Sequence, residues 1–210
     1  MEQVEIDNVL SLVEKYGTGG SPKTKSFGTE IYGQIDLPLL KGFASVRRTE
    51  ERFTQFDVDF NGKTVLDIGC HIGSLCFKAK EKGALHVVGI DTNQDRIHTA
   101  RCIRDLHKIK NISFLDERES KARPTTRYQI VMCCSVDDYV FNKTEFYQYV
   151  FSRVAEGGVL IFESNIQIYS NHPFAAWCRL NKIEYHWLGE AIDKWPYGSH
   201  RARDLFKVYK

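Results

Sequence analysis

Val65-Leu66-Asp67-Ile68-Gly69-Cys70-His71-Ile72-Gly73 passes from an apolar, β-branched run into two glycines four residues apart. A strand ends there and a helix begins. Gly69 and Gly73 let the backbone bend tightly and approach a ligand where a Cβ would clash. An ordinary glycine-bearing turn between strand and helix looks the same, and the following strands separate the two readings. Val87-Val88-Gly89-Ile90-Asp91 closes on an acid 22 residues after Gly69, where a carboxylate can accept hydrogen bonds from both hydroxyls of an adenosine ribose. Asp116 ends the third run, 111–116, where it can accept from an adenine amino group. Three acid-bearing strand ends in succession describe one crevice.

Outward from this stretch, short apolar runs alternate with helical windows. The runs are 64–68, 87–90, 112–115, 130–133 and 159–162, and helices are expected over 74–82, 93–108 and 144–155. Such alternation builds parallel βαβ units in an open α/β sheet. Two further runs, 183–188 and 205–209, flank Trp195-Pro196-Tyr197-Gly198 and read as an antiparallel hairpin at the sheet edge. Upstream, 4–16 and 48–56 carry helical spacing, the second with Thr49 as its cap, and a Gly-, Ser- and Pro-punctuated turn at 17–22 follows the first. The expected organisation is an N-terminal lid with entry helices over 1–61 and a core over 62–210.

The 210 residues are 42% hydrophobic and 27% charged, enough apolar material for one domain with a sizeable core. Twenty-nine basic and 27 acidic side chains leave +2, so no bulk field draws the chain to nucleic acid or anionic membrane. No basic start followed by an apolar run marks a secretory signal. The longest apolar stretches are strand-sized, far below the roughly 20 residues that span a bilayer. Cysteines at 70, 76, 102, 133, 134 and 178 form neither a CxxC pair nor a regular framework. The expectation is a cytoplasmic protein with free thiols, no metal site and no membrane partner, its oligomeric state open.

On the motif Val65 to Gly73, with Asp91 and Asp116, the sequence resembles the class I S-adenosylmethionine-dependent methyltransferases over about residues 62–164. The stretch 182–209 is similar to that family's terminal antiparallel strands. The resemblance implies an α/β fold, a seven-stranded, mostly parallel sheet with an antiparallel terminal strand and helices on both faces, the Rossmann-like methyltransferase fold. It implies S-adenosyl-L-methionine as cofactor. Asp67, Gly69, Cys70 and Gly73 would surround its methionine part, Asp91 with Thr92 would hold ribose, Asp116 would contact adenine, and Cys134 and Ser135 would border it after the fourth strand. His71 stands where many members place glycine or a small polar residue, and it either contacts the cofactor's carboxylate or satisfies the loop's own hydrogen bonds. GxxxG spacing without GxGxxG argues against a nicotinamide dehydrogenase. A shorter likeness, Tyr32-Gly33-Gln34-Ile35-Asp36-Leu37-Pro38, resembles the entry segment of methyltransferases related to the wobble-uridine tRNA-modifying carboxymethyl-transfer branch and of relatives acting on small molecules. Tyr32, Ile35 and Leu37 are then part of a lid or a patch docking the N-terminal arm.

Methyl transfer from a sulfonium is an in-line displacement that needs alignment and exclusion of water, with a base where the acceptor is a hydroxyl or protonated nitrogen. Asp137, Asp138, Glu163 and His172 follow the fourth and fifth strands, and Asp138 and His172 are the catalytic candidates. The plainer readings are a solvated helix start at Asp137-Asp138 and a helix beginning at His172-Pro173. A small-molecule acceptor is favoured. RNA is the alternative, because 96–127 holds nine Lys or Arg against four Asp or Glu. Arg96, Arg101, Arg104 and Lys108 recur at helical spacing there, and Arg118, Lys121, Arg123 and Arg127 lie in the loop beyond. Lys41, Arg47 and Arg48 are candidates to join them in space. Tyr169, Phe174, Trp177, Tyr185, Trp187, Trp195 and Tyr197 supply either an acceptor pocket or core. A non-catalytic binding or adaptor protein with a methyltransferase fold is the further alternative.

Overall fold

Five apolar runs become five parallel strands, and the tail adds two more. A computed structural model of the chain describes residues 3–18, 31–45, 47–116, 119, 125–164, 172–192 and 202–210. The order is α1 (Gln3–Tyr16), α2 (Thr49–Phe56), β1 (Thr64–Ile68), α3 (Ser74–Glu81), β2 (His86–Asp91), α4 (Gln94–Leu106), β3 (Ile112–Asp116) and β4 (Tyr128–Cys134). A 3-10 turn (Asp137–Tyr139), α5 (Lys143–Ser152), β5 (Val154–Ser164), α6 (Pro173–Leu180), β6 (Tyr185–Ile192) and β7 (Ala202–Tyr209) complete it. Residues 19–22, Arg118, Lys121, Arg123, Tyr169 and the 195–198 segment lie outside the described residues. Among the described residues, no helix is long and apolar enough to cross a membrane.

The seven strands form one sheet in the order β3-β2-β1-β4-β5-β7-β6. β1 to β5 are parallel neighbours, and β7 runs antiparallel to both β5 and β6. β6 and β7 are thus the expected antiparallel pair at the edge of the sheet, with β6 outermost and β7 between it and β5. With neighbours on both sides, β7 buries Lys207 as well as its apolar residues, and the ammonium reaches out to the Asp57 carbonyl and carboxylate at 2.8 and 3.1 Å. One correction concerns α2. Thr49 is its first helical residue rather than its cap, and its hydroxyl donates to the Gln34 carbonyl at 3.4 Å, tying the helix to the entry segment.

Side chains alternate across each strand, so the sheet sorts its core into two layers. Val65, Ile130, Met132, Ile161 and Leu205 share one apolar cluster with Val9 and Val13 of α1, Phe53 and Phe56 of α2, and buried residues of α3 and α4. Ile31, Ile35 and Leu40 of the entry segment are buried in that same layer, with Leu37 packed against it. Leu66, Val131, Leu160, Phe162 and Phe206 point the other way, onto Tyr147 and Val150 of α5 and Phe174 and Trp177 of α6. Phe174 and Trp177, candidates for an acceptor pocket, are core in this second layer. Phe174 stacks on Phe162 with ring centroids 4.0 Å apart and meets Tyr147 edge-on at 5.3 Å.

Truncation of such a fully buried ring leaves a cavity that rigid neighbours cannot fill. Phe174→Ala is expected to lower stability by about 3–5 kcal/mol, read as a lower midpoint in urea unfolding.

Candidate active site

The loop between β1 and α3 is held by the end of β2. Backbone amides of Gly69 and Cys70 both donate to the Ile90 carbonyl, at 2.8 and 2.9 Å, and the His71 amide donates to Asp91 Oδ2 at 2.9 Å. Gly69 (φ 77°) and Gly73 (φ 92°) adopt the left-handed region. A Cβ at Gly69 would lie 2.4 Å from Val136 Cγ2, and one at Gly73 would lie 2.7 Å from the Phe114 ring, so both glycines are required by conformation and by space. Asp91 Oδ1 also accepts from the Asn93 amide at 2.9 Å. The carboxylate is thereby fixed at the strand end with accepting capacity left on each oxygen. Thr92 is exposed in the same turn. Asp116, half-buried and paired in register with Asp91 on the neighbouring strand, accepts from the Glu119 amide at 2.9 Å.

Beneath the loop the surroundings are dry. Asp67 is 1% exposed and accepts from the Cys76 thiol at 3.2 Å. Burial pushes its carboxyl up to about 7. The Cys70 thiol also points inward, toward Gly89 and away from the crevice, and burial pushes it up too. What Cys70 can offer a ligand is backbone. His71 takes a left-handed conformation (φ 55°), and its buried ring lies 5.2 Å from that of Tyr32. Burial, with Arg96 nearby, pushes the imidazole down to about 3, so it is neutral at physiological pH. Its Nε2 has no hydrogen-bond partner among the described residues.

At the carboxyl ends of β4 and β5, on the face that carries Asp67, a charged cluster is buried. Glu163 is 1% exposed; Arg47, Arg52 and Arg203 are 4%, 8% and 6% exposed. The carboxylate accepts from Arg52 Nη2 and from the Ser135 hydroxyl, with Arg203 Nη1 at 3.4 Å and Arg47 Nη1 at 3.8 Å. Arg47 also donates to Ser135 Oγ at 3.2 Å and lies over the Tyr32 ring, 4.1 Å from its centroid. Ser135, itself left-handed (φ 62°), donates its amide to the Glu163 carbonyl at 2.7 Å. Cys134 is buried within electrostatic reach of Arg52, Glu163, Asp67 and Arg47, and burial holds its thiol protonated.

The two expected acid–base groups are placed differently. Asp138 is exposed beside Tyr139, whose hydroxyl is within electrostatic reach of Tyr32, Arg96 and Arg47, so it borders the crevice. Its neighbour Asp137 is fully buried and accepts from Ser164 Oγ at 2.5 Å, which corrects the reading of a solvated pair. His172 is buried on the α5–α6 side of the sheet. Its Nδ1 accepts from the Phe174 amide at 3.2 Å, and its ring lies 4.9 Å from Phe206. It caps α6 on the face opposite Asp67 and Glu163, because a helix opening with Pro173 still needs its next amide satisfied. The plainer reading of His172-Pro173, a helix start, is the one this placement matches. Along α4, Arg101 folds back to the Phe114 carbonyl at 2.7 and 2.9 Å and pairs with Glu119, and Arg104 pairs with Asp105. Sequence reasoning missed Arg52 and Arg203 altogether. The signal was a polar residue, Arg203, in phase with Leu205 on an inward-facing strand row.

Asp67 yields a pH signature. Its carboxyl is raised from 3.8 to about 7, so between those values the folded state holds a proton that the unfolded state has released. Stability falls as pH rises through that window, with the full cost present above about 7. Asp67→Asn carries no such cost. The excess of its melting temperature over that of the unaltered protein should widen by several degrees from pH 5 to pH 8, and a constant difference would refute the raised carboxyl.

The site fits an adenosine-bearing cofactor on two observations: the preoriented Asp91 carboxylate at the second strand end and the buried His71 Nε2 beside the glycine loop. A family model described as a methyltransferase domain matches residues 59–199. The ubiquinone biosynthesis O-methyltransferase of Paraburkholderia phytofirmans is 31% identical over 119 residues, 54% of this chain and 49% of that protein. The chain spans about half the length of the curated relatives it matches. A structure of a proposed RNA methyltransferase from Pyrococcus horikoshii superposes with a TM-score of 0.64 at 14% identity, covering 100% of this chain and 99% of that one. An S-adenosylmethionine-dependent methyltransferase from Mesorhizobium loti gives 0.59 at 14% identity, covering 78% and 98%. The chain belongs to the methyltransferase-domain family and has the fold of the class I S-adenosylmethionine-dependent methyltransferases.

Proposed function

We propose that the chain transfers the methyl group of S-adenosyl-L-methionine to a small-molecule acceptor by in-line displacement, in the cytoplasm. The observation that carries this is the loop from Gly69 to Gly73 fastened to Asp91, at the carboxyl edge of the sheet of a methyltransferase-family chain. When bound, the cofactor supplies a methyl group activated by its sulfonium. Asp91 would accept from the ribose hydroxyls, with Thr92 beside it and Asp116 toward adenine. The backbone of Gly69, Cys70 and Gly73 and the neutral ring of His71 would line the methionine part, over the protonatable carboxyl of Asp67. Cys134 and Ser135 close the floor toward β5. Asp138, exposed at the rim, would take a proton from a hydroxyl acceptor.

The small-molecule reading is supported by relatives named for ubiquinone biosynthesis O-methylation. It is also supported by Arg101 and Arg104, whose guanidiniums are engaged within the chain rather than presented to phosphates. Five of the six thiols are buried, in keeping with a reducing compartment.

Hydrogen bonds to a charged acceptor contribute about 1.5–3 kcal/mol each. Asp91→Ala should therefore weaken binding of S-adenosylhomocysteine tenfold or more in calorimetry, and unchanged affinity in a folded variant would remove the assignment. In the same programme, methyl-labelled S-adenosylmethionine incubated with protein and cell extract should label a low-mass, ribonuclease-resistant fraction. Ribonuclease-sensitive label of large mass would replace the acceptor class with RNA.

A further inference from the structure

We infer that Asp67 couples the charge of the cofactor to a proton: its buried carboxyl releases a proton to solvent when the sulfonium of S-adenosyl-L-methionine enters the crevice above the glycine loop, and takes one back once methyl transfer has left a neutral thioether there. This rests on the methyl-transfer reading above and adds a regulation of its cofactor site. The case begins with how little support the carboxyl receives. Asp67 is 1% exposed near the carboxyl end of β1, just before Gly69. Among the described residues its one hydrogen-bond donor is the Cys76 thiol, at 3.2 Å, and no ammonium or guanidinium pairs with it. A thiol is a weak donor. A carboxyl buried with so little to hold a negative charge favours its neutral form, and burial accordingly pushes this one up to about 7.

The groups around Asp67 are ones that a single added cation can outweigh. The thiols of Cys76 on α3 and Cys70 in the loop pack over Gly89, 2.8 and 2.9 Å from where its Cβ would stand, and burial holds both protonated. Cys133 and Cys134 on β4 are likewise neutral thiols within electrostatic reach. Two charges act on Asp67: Arg52 on α2, whose guanidinium is paired with Glu163 of β5, and Asp91 on β2. Asp91 opposes ionisation, as a like charge does. It is also the residue that would hold the ribose, so Asp67 already responds to charge at the cofactor's own anchor. A sulfonium over the loop acts with the opposite sign, through the same dry interior in which charges are weakly screened. S-adenosylhomocysteine lacks that charge. The ionised carboxyl therefore favours the methyl donor over its spent form, and the preference grows as pH rises through the titration of Asp67.

The test titrates the full chain with S-adenosyl-L-methionine, and separately with S-adenosylhomocysteine, by calorimetry in buffers that differ in ionisation enthalpy, so that protons released on binding are counted directly. With the free carboxyl at about 7, a tenfold gain in its acidity on binding releases roughly 0.4 proton per methyl donor at neutral pH. Release should be smaller with S-adenosylhomocysteine. It should fade toward about pH 5, where Asp67 keeps its proton in both states, and be lost in Asp67→Asn, which cannot ionise. Comparison with that variant also removes any contribution from the amino group of the ligand. Should the variant fail to fold by circular dichroism, or fail to bind, the pH profile of the unaltered protein decides, release as large near pH 5 as near pH 7 being the adverse result. Binding of S-adenosyl-L-methionine without proton release near pH 7, release of equal size with both ligands, or release that persists in folded Asp67→Asn would overturn the inference. The two readings fail differently. Binding without release leaves the cofactor reading standing, whereas binding of neither ligand removes that reading and the inference with it.

Discussion

A carboxylate buried as deeply as that of Glu163 is costly unless cations come to it, and here they come from three parts of the chain. Arg203 belongs to the sheet. Arg52 belongs to α2 and Arg47 to the entry segment, both upstream of the first strand. Docking of α2 and the entry segment against the sheet and assembly of the cluster are therefore one event. Thr49 on the Gln34 carbonyl and Tyr32 between Arg47 and His71 set the angle at which the guanidiniums arrive.

Strand alternation then separates chemistry from packing. One face of β1, β4, β5 and β7 presents Asp67, Cys134, Glu163 and Arg203 at its carboxyl edge, over an apolar layer shared with α1 to α4. The other face is aromatic, with Tyr147, Phe162, Phe174, Trp177 and Phe206 packed ring on ring. This asymmetry explains why His172, close to β5 in sequence, caps a helix. It is on the packed face, and the nearest need is the amide at the start of α6.

How much of this was legible in the sequence follows from the range of each interaction. The glycine loop, Asp91 and the five parallel strands are set by local periodicity and by strand ends, and they stand where the sequence puts them. The antiparallel pair at the sheet edge was legible too, but not which of its strands is outermost. An alternating strand bearing lysine reads as an edge, and only the Asp57 contact reveals that Lys207 is buried along its stem. Asp137 and Asp138 are adjacent acids that no sequence pattern distinguishes, yet one accepts from Ser164 in the interior while the other faces solvent. The cluster around Glu163 was hardest to read, because its members are far apart in sequence and share no spacing.

The electrostatic character of the site follows from that cluster together with the loop. His71 is held neutral and Asp67 is held partly protonated by burial, so neither contributes a full charge at the glycine loop. The charged groups stand instead on the β4–β5–β7 side, where Arg47, Arg52 and Arg203 meet Glu163. Burial thus suppresses charge on Asp67 and His71 and draws oppositely charged groups together around Glu163, so one constraint divides this end of the sheet into a neutral loop and an ion-paired wall.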